Sequence, residues 1–263
     1  MTLWQAVVLG LVQGLTEFLP VSSDGHLVLT GALLGVSTPG VFVEVALHVA
    51  TLGAVLIVFG PRLWVVFVSA LRGDRLALRY VALLLLASIP AAFVGLVLKS
   101  LVERTFDSLW FAGAGFLATG FALWSTRNRS NVASDRVAPA PAPAFAIGAG
   151  QALAILPGVS RSGMTVSIGL WAGLSPQAAA EFSFLLAVPA IGGAAVLEIP
   201  HLSTDLHTVG VLPLAVACLV ALGSGIWAIR WLLVMLRRGR LHAFAPYCWF
   251  IGALTLAYAL WRA

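Results

Sequence analysis

The chain alternates long apolar runs with short polar interruptions, and two interruptions fall inside segments that would otherwise cross a membrane. Residues 2–19 form an apolar helix, Pro20 to Gly25 break it, and residues 26–35 form a second apolar helix ended by Gly35. A ten-residue helix cannot cross roughly 30 Å of hydrocarbon, so the pair predicts a re-entrant hairpin. Unbroken runs at about 41–59, 78–98 and 109–126 predict spanning helices, the second kinked by Pro90. Residues 127–144 are polar and then alternate Pro with Ala, the composition of a solvated, semi-extended linker. The pattern then restarts: a helix over 145–156, a polar break from Pro157 to Thr165, a short helix to about Ala172, and spans at about 178–197, 209–234 and 244–261.

The restart is an internal repeat. At a constant offset of 138, Gly10 matches Gly148, Gln13 matches Gln151, Leu15 matches Leu153, Val21 matches Val159, Ser22 matches Ser160 and Gly25 matches Gly163. A hairpin returns to its own side, and three spans then cross, so the second half enters from the opposite face. The expected fold is an all-α polytopic membrane protein with an inverted-topology repeat, each half a re-entrant helical hairpin plus three transmembrane helices. Residues 1–263 form one membrane domain: repeat 1 over about 1–126, linker 127–144, and repeat 2 over about 145–263.

Composition supports that reading. Of 263 residues, 60% are hydrophobic and 10% charged, against about 25% charged in soluble domains. Helix-length runs, not short alternating strands, exclude a β-barrel. No cleavable leader is expected, because the N-terminus lacks a basic region and Gln13 and Glu17 interrupt the first run. The net charge of +5 lies in short loops and does not point to nucleic acid. Arg62, Arg72, Arg75, Arg79, Arg127, Arg129, Arg136, Arg237, Arg238 and Arg240 fall on the side opposite the N-terminus; Lys99, Glu103, Arg104, Asp107, Glu198 and Asp205 fall on its own side. The basic side is expected to be cytoplasmic, with both termini and the first hairpin facing outward. Cys218 and Cys248 lie in apolar stretches and are expected as buried thiols.

The two breaks carry the candidate chemistry. Ser160, Arg161, Ser162, Gly163 and Thr165 lie at a helix start, where free N–H groups and the positive dipole end favour an anion. Arg161 adds a bidentate fork suited to phosphate oxygens. In the first break Ser23 and His26 are three apart, so a hydroxyl and an imidazole can share a face. That suits a serine nucleophile with a histidine base; alternatively His26 attacks phosphorus and Ser23 only binds. Glu17, one helical turn after Gln13, offers with it oxygen ligands to a hard divalent cation. Asp24 is a metal ligand or a solvated cap residue, the cap being preferred; His48, near Thr51, can contact the site, a satisfied histidine inside the bundle being preferred; Glu44 and Glu181 are expected as carboxylates heading helices, and Trp4, Trp110, Trp249 and Trp261 as interfacial anchors.

Gln-Gly-Leu-Thr-Glu-Phe-Leu-Pro-Val-Ser-Ser-Asp-Gly-His at 13–26 and Leu-Pro-Gly-Val-Ser-Arg-Ser-Gly-Met-Thr at 156–165 resemble the two signature motifs of the bacterial undecaprenyl-diphosphate phosphatases, the bacitracin-resistance family; Glu181-Phe-Ser-Phe-Leu-Leu-Ala-Val-Pro189 also resembles that family. The resemblance implies hydrolysis of the C55 isoprenoid diphosphate to its monophosphate and phosphate, which recycles the lipid carrier for peptidoglycan and confers bacitracin resistance. It also implies Mg²⁺ or Ca²⁺ dependence and a homodimer, and the loop charges add the expectation that the site is entered from outside the bacterial cytoplasmic membrane. By motif position it implies Glu17 as acidic metal-binding or catalytic residue, Gln13 beside it, Ser23 as nucleophile, His26 as base and Arg161 as diphosphate clamp. Ser22, Ser160, Ser162, Gly163 and Thr165 then surround the phosphate. Gln13 is the neutral option at a Glu-or-Gln position, and Asp24 stands where Thr or Ser is expected. The competing expectation is a transporter or flippase of a polyprenyl phosphate, since opposed broken helices also suit transport of an anion.

Overall fold

The computed structural model describes residues 1–36, 42–106, 108–129, 134, 136–198 and 209–262, without the side chains of Lys99, Glu103 and Glu198. Asp107, Asp205, His201, His207 and linker residues 130–133 and 135 lie outside the described residues. The described chain is helical: α1 (Leu3–Phe18), α2 (Ser23–Leu34), α3 (Phe42–Leu71), α4 (Arg75–Val97), α5 (Lys99–Phe106), α6 (Leu109–Ser125), α7 (Pro141–Leu153), α8 (Arg161–Trp171), α9 (Pro176–Glu198), α10 (Val211–Arg237) and α11 (Ala245–Arg262), with a 3-10 turn at Leu241–Phe244. Among these residues α3, α4, α9, α10 and α11 with its preceding turn are long and apolar enough to cross a membrane. At 17 residues, α6 sits at the lower limit for a span. The protein is a multi-pass helical membrane protein.

The short helices pair as the breaks require. Helix α1 packs on α2, and α7 packs on α8. Each second arm begins at a serine N-cap: Ser22 accepts from the Gly25 N–H (3.4 Å) and Ser160 from the Gly163 N–H (3.0 Å). Helix α2 closes on Gly35 in the left-handed conformation.

Packing between the halves follows a matched pattern. Helix α1 lies against α10, and α7 lies against α4. A Cβ on Gly10 would come within 2.4 Å of the Ala217 carbonyl oxygen, and one on Gly148 within 2.1 Å of that of Ala87. Only glycine lets these backbones approach so closely. The two hairpins meet at Gly158, whose φ of +86° suits glycine and whose missing Cβ leaves room for the Ala112 carbonyl. Thr119 of α6 ties this turn down, donating to the Gly158 carbonyl (2.9 Å) and accepting from the Ser160 N–H (2.9 Å).

Several boundaries differ from expectation. Helix α3 runs through Pro61 to Leu71, which places Arg62 within a helix, not in a loop. Arg62 Nε donates to Glu181 (2.7 Å), and Glu181 lies beyond the first turn of α9. An ion pair across α3 and α9, not a helix-end dipole, accounts for that carboxylate. Helix α7 starts at Pro141, because proline is well placed in a first turn where its missing N–H has no partner to lose. The expected linker therefore ends at Ala140. Trp249 packs against Phe121 and Trp124. Cys218 and Cys248 are free thiols, the latter fully buried.

Candidate active site

Glu17 comes off the last turn of α1, only 5% exposed. A buried carboxylate needs partners, and four donors converge on it. Gln13 Nε2, one turn earlier, donates to Oε2 at 3.1 Å. Ser23 Oγ, the first residue of α2, donates to the same oxygen at 2.5 Å. Arg161 Nη2, the first residue of α8, donates to Oε1 at 2.6 Å. His48 Nε2 of α3 stands 3.1 Å from Oε2 and 3.5 Å from Asp24 Oδ1. The two hairpins thus join at a single carboxylate.

Sequence reasoning preferred His48 as a satisfied bundle histidine over a site contact, and the structure places it at the site. Its Nδ1 donates to the Glu44 carbonyl four residues earlier (2.7 Å), which aims Nε2 between Glu17 and Asp24. The only local signal is His48 one helical turn from Glu44 on an otherwise apolar helix; its approach to Glu17 requires α3 to pack on α1. Asp24 lies in the first turn of α2, as a cap-region residue would, but it also lines the site.

Ser23 and His26 do not pair. Ser22 carries a φ of +66°, which side-chain-bearing residues rarely adopt. That twist presents its carbonyl to both the backbone N–H (3.3 Å) and Nδ1 (2.7 Å) of His26. A carbonyl only accepts, so Nδ1 carries the proton, and Nε2 accepts from the Tyr247 hydroxyl (2.7 Å). The ring packs edge-on against Phe116. Both ring nitrogens are engaged away from Ser23, whose hydroxyl donates to Glu17 instead.

These groups form the polar floor of a cavity of about 440 Å³. Glu17, Ser22, Ser23, Asp24 and His48 line one side, and Ser160, Arg161 and Gln151 the other. The wall above is apolar: Ala91, Ala92 and Leu96 of α4, Val102 and Phe106 of α5, and Ile191, Ala194 and Leu197 of α9. Ala92, Leu96 and Leu197 are exposed, so the wall runs out to the molecular surface. Arg161 Nη1 is buried with no partner among the described residues, leaving half of the fork open to an anion.

The remaining candidates take other partners. Ser162 Oγ donates to the Leu19 carbonyl (3.2 Å), tying α8 to the first break. Thr165 Oγ1 bonds the Arg161 carbonyl (2.7 Å) and Ser183 Oγ (2.6 Å). Gly163 is held by the Ser160 cap. Of the second-break residues, Ser160 and Arg161 line the cavity, whereas Ser162, Gly163 and Thr165 do not.

A divalent cation does not fit these residues as they stand. Gln13 turns its amide nitrogen, not its oxygen, toward Glu17, and both Glu17 oxygens already accept from donors. Among the described residues no three His, Cys, Asp or Glu side chains form a metal-ligating group.

Comparisons with known proteins agree on one family. The family model described as "Bacitracin resistance protein BacA" matches residues 6–254. A protein of Desulfosudis oleivorans named undecaprenyl-diphosphatase is 43% identical, over 96% of this chain and 97% of its own. Proteins of the same name from Rhodopirellula baltica and Halothermothrix orenii are 39% and 37% identical, over 96% and 98% of this chain and 96% and 99% of theirs.

Proposed function

The chain belongs to the BacA bacitracin-resistance family, and from that premise we propose that it is an undecaprenyl-diphosphatase, a membrane hydrolase that converts the C55 diphosphate and water to the monophosphate and phosphate. The observation that carries this reading is the union, in one cavity, of a Ser23–Glu17 pair, a half-open Arg161 and an apolar wall that reaches the surface. The headgroup lies on the polar floor while the isoprenoid chain leaves along α4 and α9. A transporter needs no hydroxyl bound to a buried carboxylate, so this reading is preferred over the flippase.

The chemistry follows from the contacts. Ser23 Oγ attacks the terminal phosphorus and passes its proton to Glu17. The new O–P bond forms as the bond to the bridging oxygen breaks, and the lipid monophosphate leaves. Water then cleaves the phosphoserine, and Glu17 returns the proton to Ser23. Arg161 Nη1 and the start of α8 neutralise charge on the transferring group. His48 and Gln13 hold the Glu17 carboxylate toward Ser23. His26 fixes the twisted Ser22 peptide, so we assign it positioning in place of the base role that motif position implies.

Four further parts belong to the same proposal. The halves are inverted repeats, which the matched contacts of Gly10 and Gly148 support. The site opens outward from the cytoplasmic membrane: the cavity is lined by the start of α3 and the ends of α4 and α9, opposite the helix ends near Arg72, Arg75 and Arg237. The homodimer rests on the family resemblance alone, and so does a divalent cation, which Glu17 and Gln13 as they stand do not fit.

The test is phosphate release from undecaprenyl diphosphate by the purified protein, with and without EDTA, beside Glu17→Ala and Ser23→Ala. Release should fall about 10²- to 10⁴-fold in both variants. A Ser23→Ala enzyme that only slows slightly would move the attack to water or His26, and no release by the wild-type protein with any metal would return the flippase. Loss of release in EDTA would establish the cation.

A further inference from the structure

Gln151, on α7, lines the same cavity as Arg161 and is 2% exposed. Neither its amide nitrogen nor its amide oxygen has a hydrogen-bond partner among the described residues. Buried amides are almost always satisfied, so this one requires an explanation.

The repeat supplies one. Gln151 is the counterpart of Gln13, whose amide donates to Glu17 four residues later. The residue four after Gln151 is Ile155. The second half thus keeps the glutamine and replaces its carboxylate with a hydrocarbon. The amide, with no acceptor among the described residues, faces the cavity whose floor holds a second unpartnered donor, Arg161 Nη1.

We propose that Gln151 is a headgroup-binding residue: its Nε2 donates to a phosphate oxygen of the diphosphate held by Arg161, and its Oε1 accepts from a protonated phosphate oxygen or a water beside it. The role deepens the phosphatase reading and rests on it for the identity of the ligand. Gln151 makes no covalent bond and carries no proton in the reaction; it binds and orients.

The decisive variant is Gln151→Met in the full-length protein in detergent. Methionine fills nearly the same volume, and among the described residues there is no hydrogen bond to lose at this position. Three readouts are taken: the Tm alone, the Tm shift produced by inorganic diphosphate, and kcat and KM for undecaprenyl diphosphate. The expected result is a Tm equal to or above wild type, loss of the diphosphate-induced shift, and a KM raised about tenfold or more. Gln151→Glu keeps the shape but faces the diphosphate with a negative charge, and should bind more weakly still. A Gln151→Met enzyme with wild-type KM and shift overturns the proposal, as does a Tm that falls with activity, which would mark the amide as structural. If the wild-type protein releases no phosphate but its diphosphate-induced shift vanishes in Gln151→Met, the hydrolase reading fails and the binding assignment stands.

Discussion

The two hairpins are built on one frame and carry different chemistry. Each has a glycine that seats its first arm against a helix of the other half, Gly10 on α10 and Gly148 on α4. Each opens its second arm with a serine cap bonded to a glycine N–H three residues on. The first hairpin puts a carboxylate at the end of α1 and a hydroxyl at the start of α2. The second puts an aliphatic side chain at the carboxylate's counterpart and a guanidinium at the start of α8. One arm is equipped to move a proton, the other to hold an anion. Scaffold and chemistry are therefore separable: glycines and caps set where the helix starts meet, and the side chains on those starts decide what happens there.

Four substitutions sharpen that division, beginning with the largest effect. In the second hairpin, Arg161→Lys keeps the charge but cannot both bond Glu17 and offer a second N–H to phosphate. Losing one charge-assisted hydrogen bond of about 1.5–3 kcal/mol should lower kcat/KM about 10- to 150-fold, since each 1.36 kcal/mol is tenfold. Steady-state kinetics on the lysine variant decide this, and near-normal turnover would leave the second hairpin without its anion-holding role. The frame itself is probed by Gly10→Ala and Gly148→Ala. Each methyl meets a backbone carbonyl, and overpacking of this kind costs about 1–3 kcal/mol. Thermal unfolding should fall for both; a tolerated change at one position alone would show that the two seats are not equivalent. The smallest effect is expected at Tyr247→Phe, which removes the hydroxyl bonded to His26 Nε2. A neutral hydrogen bond contributes about 0.5–1.5 kcal/mol, so activity should fall about two- to tenfold through kcat with KM unchanged. If His26 were instead the base acting on Ser23, Tyr247→Phe would shift the pH profile of kcat, which the positioning role does not.

Much of the fold was legible because the local signals are strong. Pro20 and the serine caps announce the hairpins, and the apolar runs announce the spans. Element ends were less legible. The span expected to end at about 59 continues through Pro61 to Leu71 in α3, while Pro141 fell in the expected linker and starts α7. Proline costs a helix its upstream hydrogen bond, a penalty that tertiary packing can outweigh and that vanishes in a first turn. The site divides similarly. Glu17, Ser23 and Arg161 stood out as polar groups in hydrocarbon, where an unpartnered charge is costly, and all three line the cavity. The expected Ser23–His26 contact did not form, because spacing along a helix says which residues share a face and not which neighbour claims each nitrogen.

The sequence alone determined the membrane class, the two broken helices, their repetition at an offset of 138, and the residue types at each break. These follow from hydrophobic length, from helix-breaking residues and from the cost of burying charge, all read over a few turns of chain. Only the tertiary structure decided that His48 reaches Glu17, that Tyr247 holds His26 across 221 positions, and that the Gln151 amide nitrogen has no partner among the described residues where that of Gln13 has one. Those outcomes depend on which helix faces lie within hydrogen-bond reach, and glycine contacts such as Gly10 on Ala217 and Gly148 on Ala87 set that reach. Backbone approach between distant segments is a property of packing, and no local window of sequence contains it.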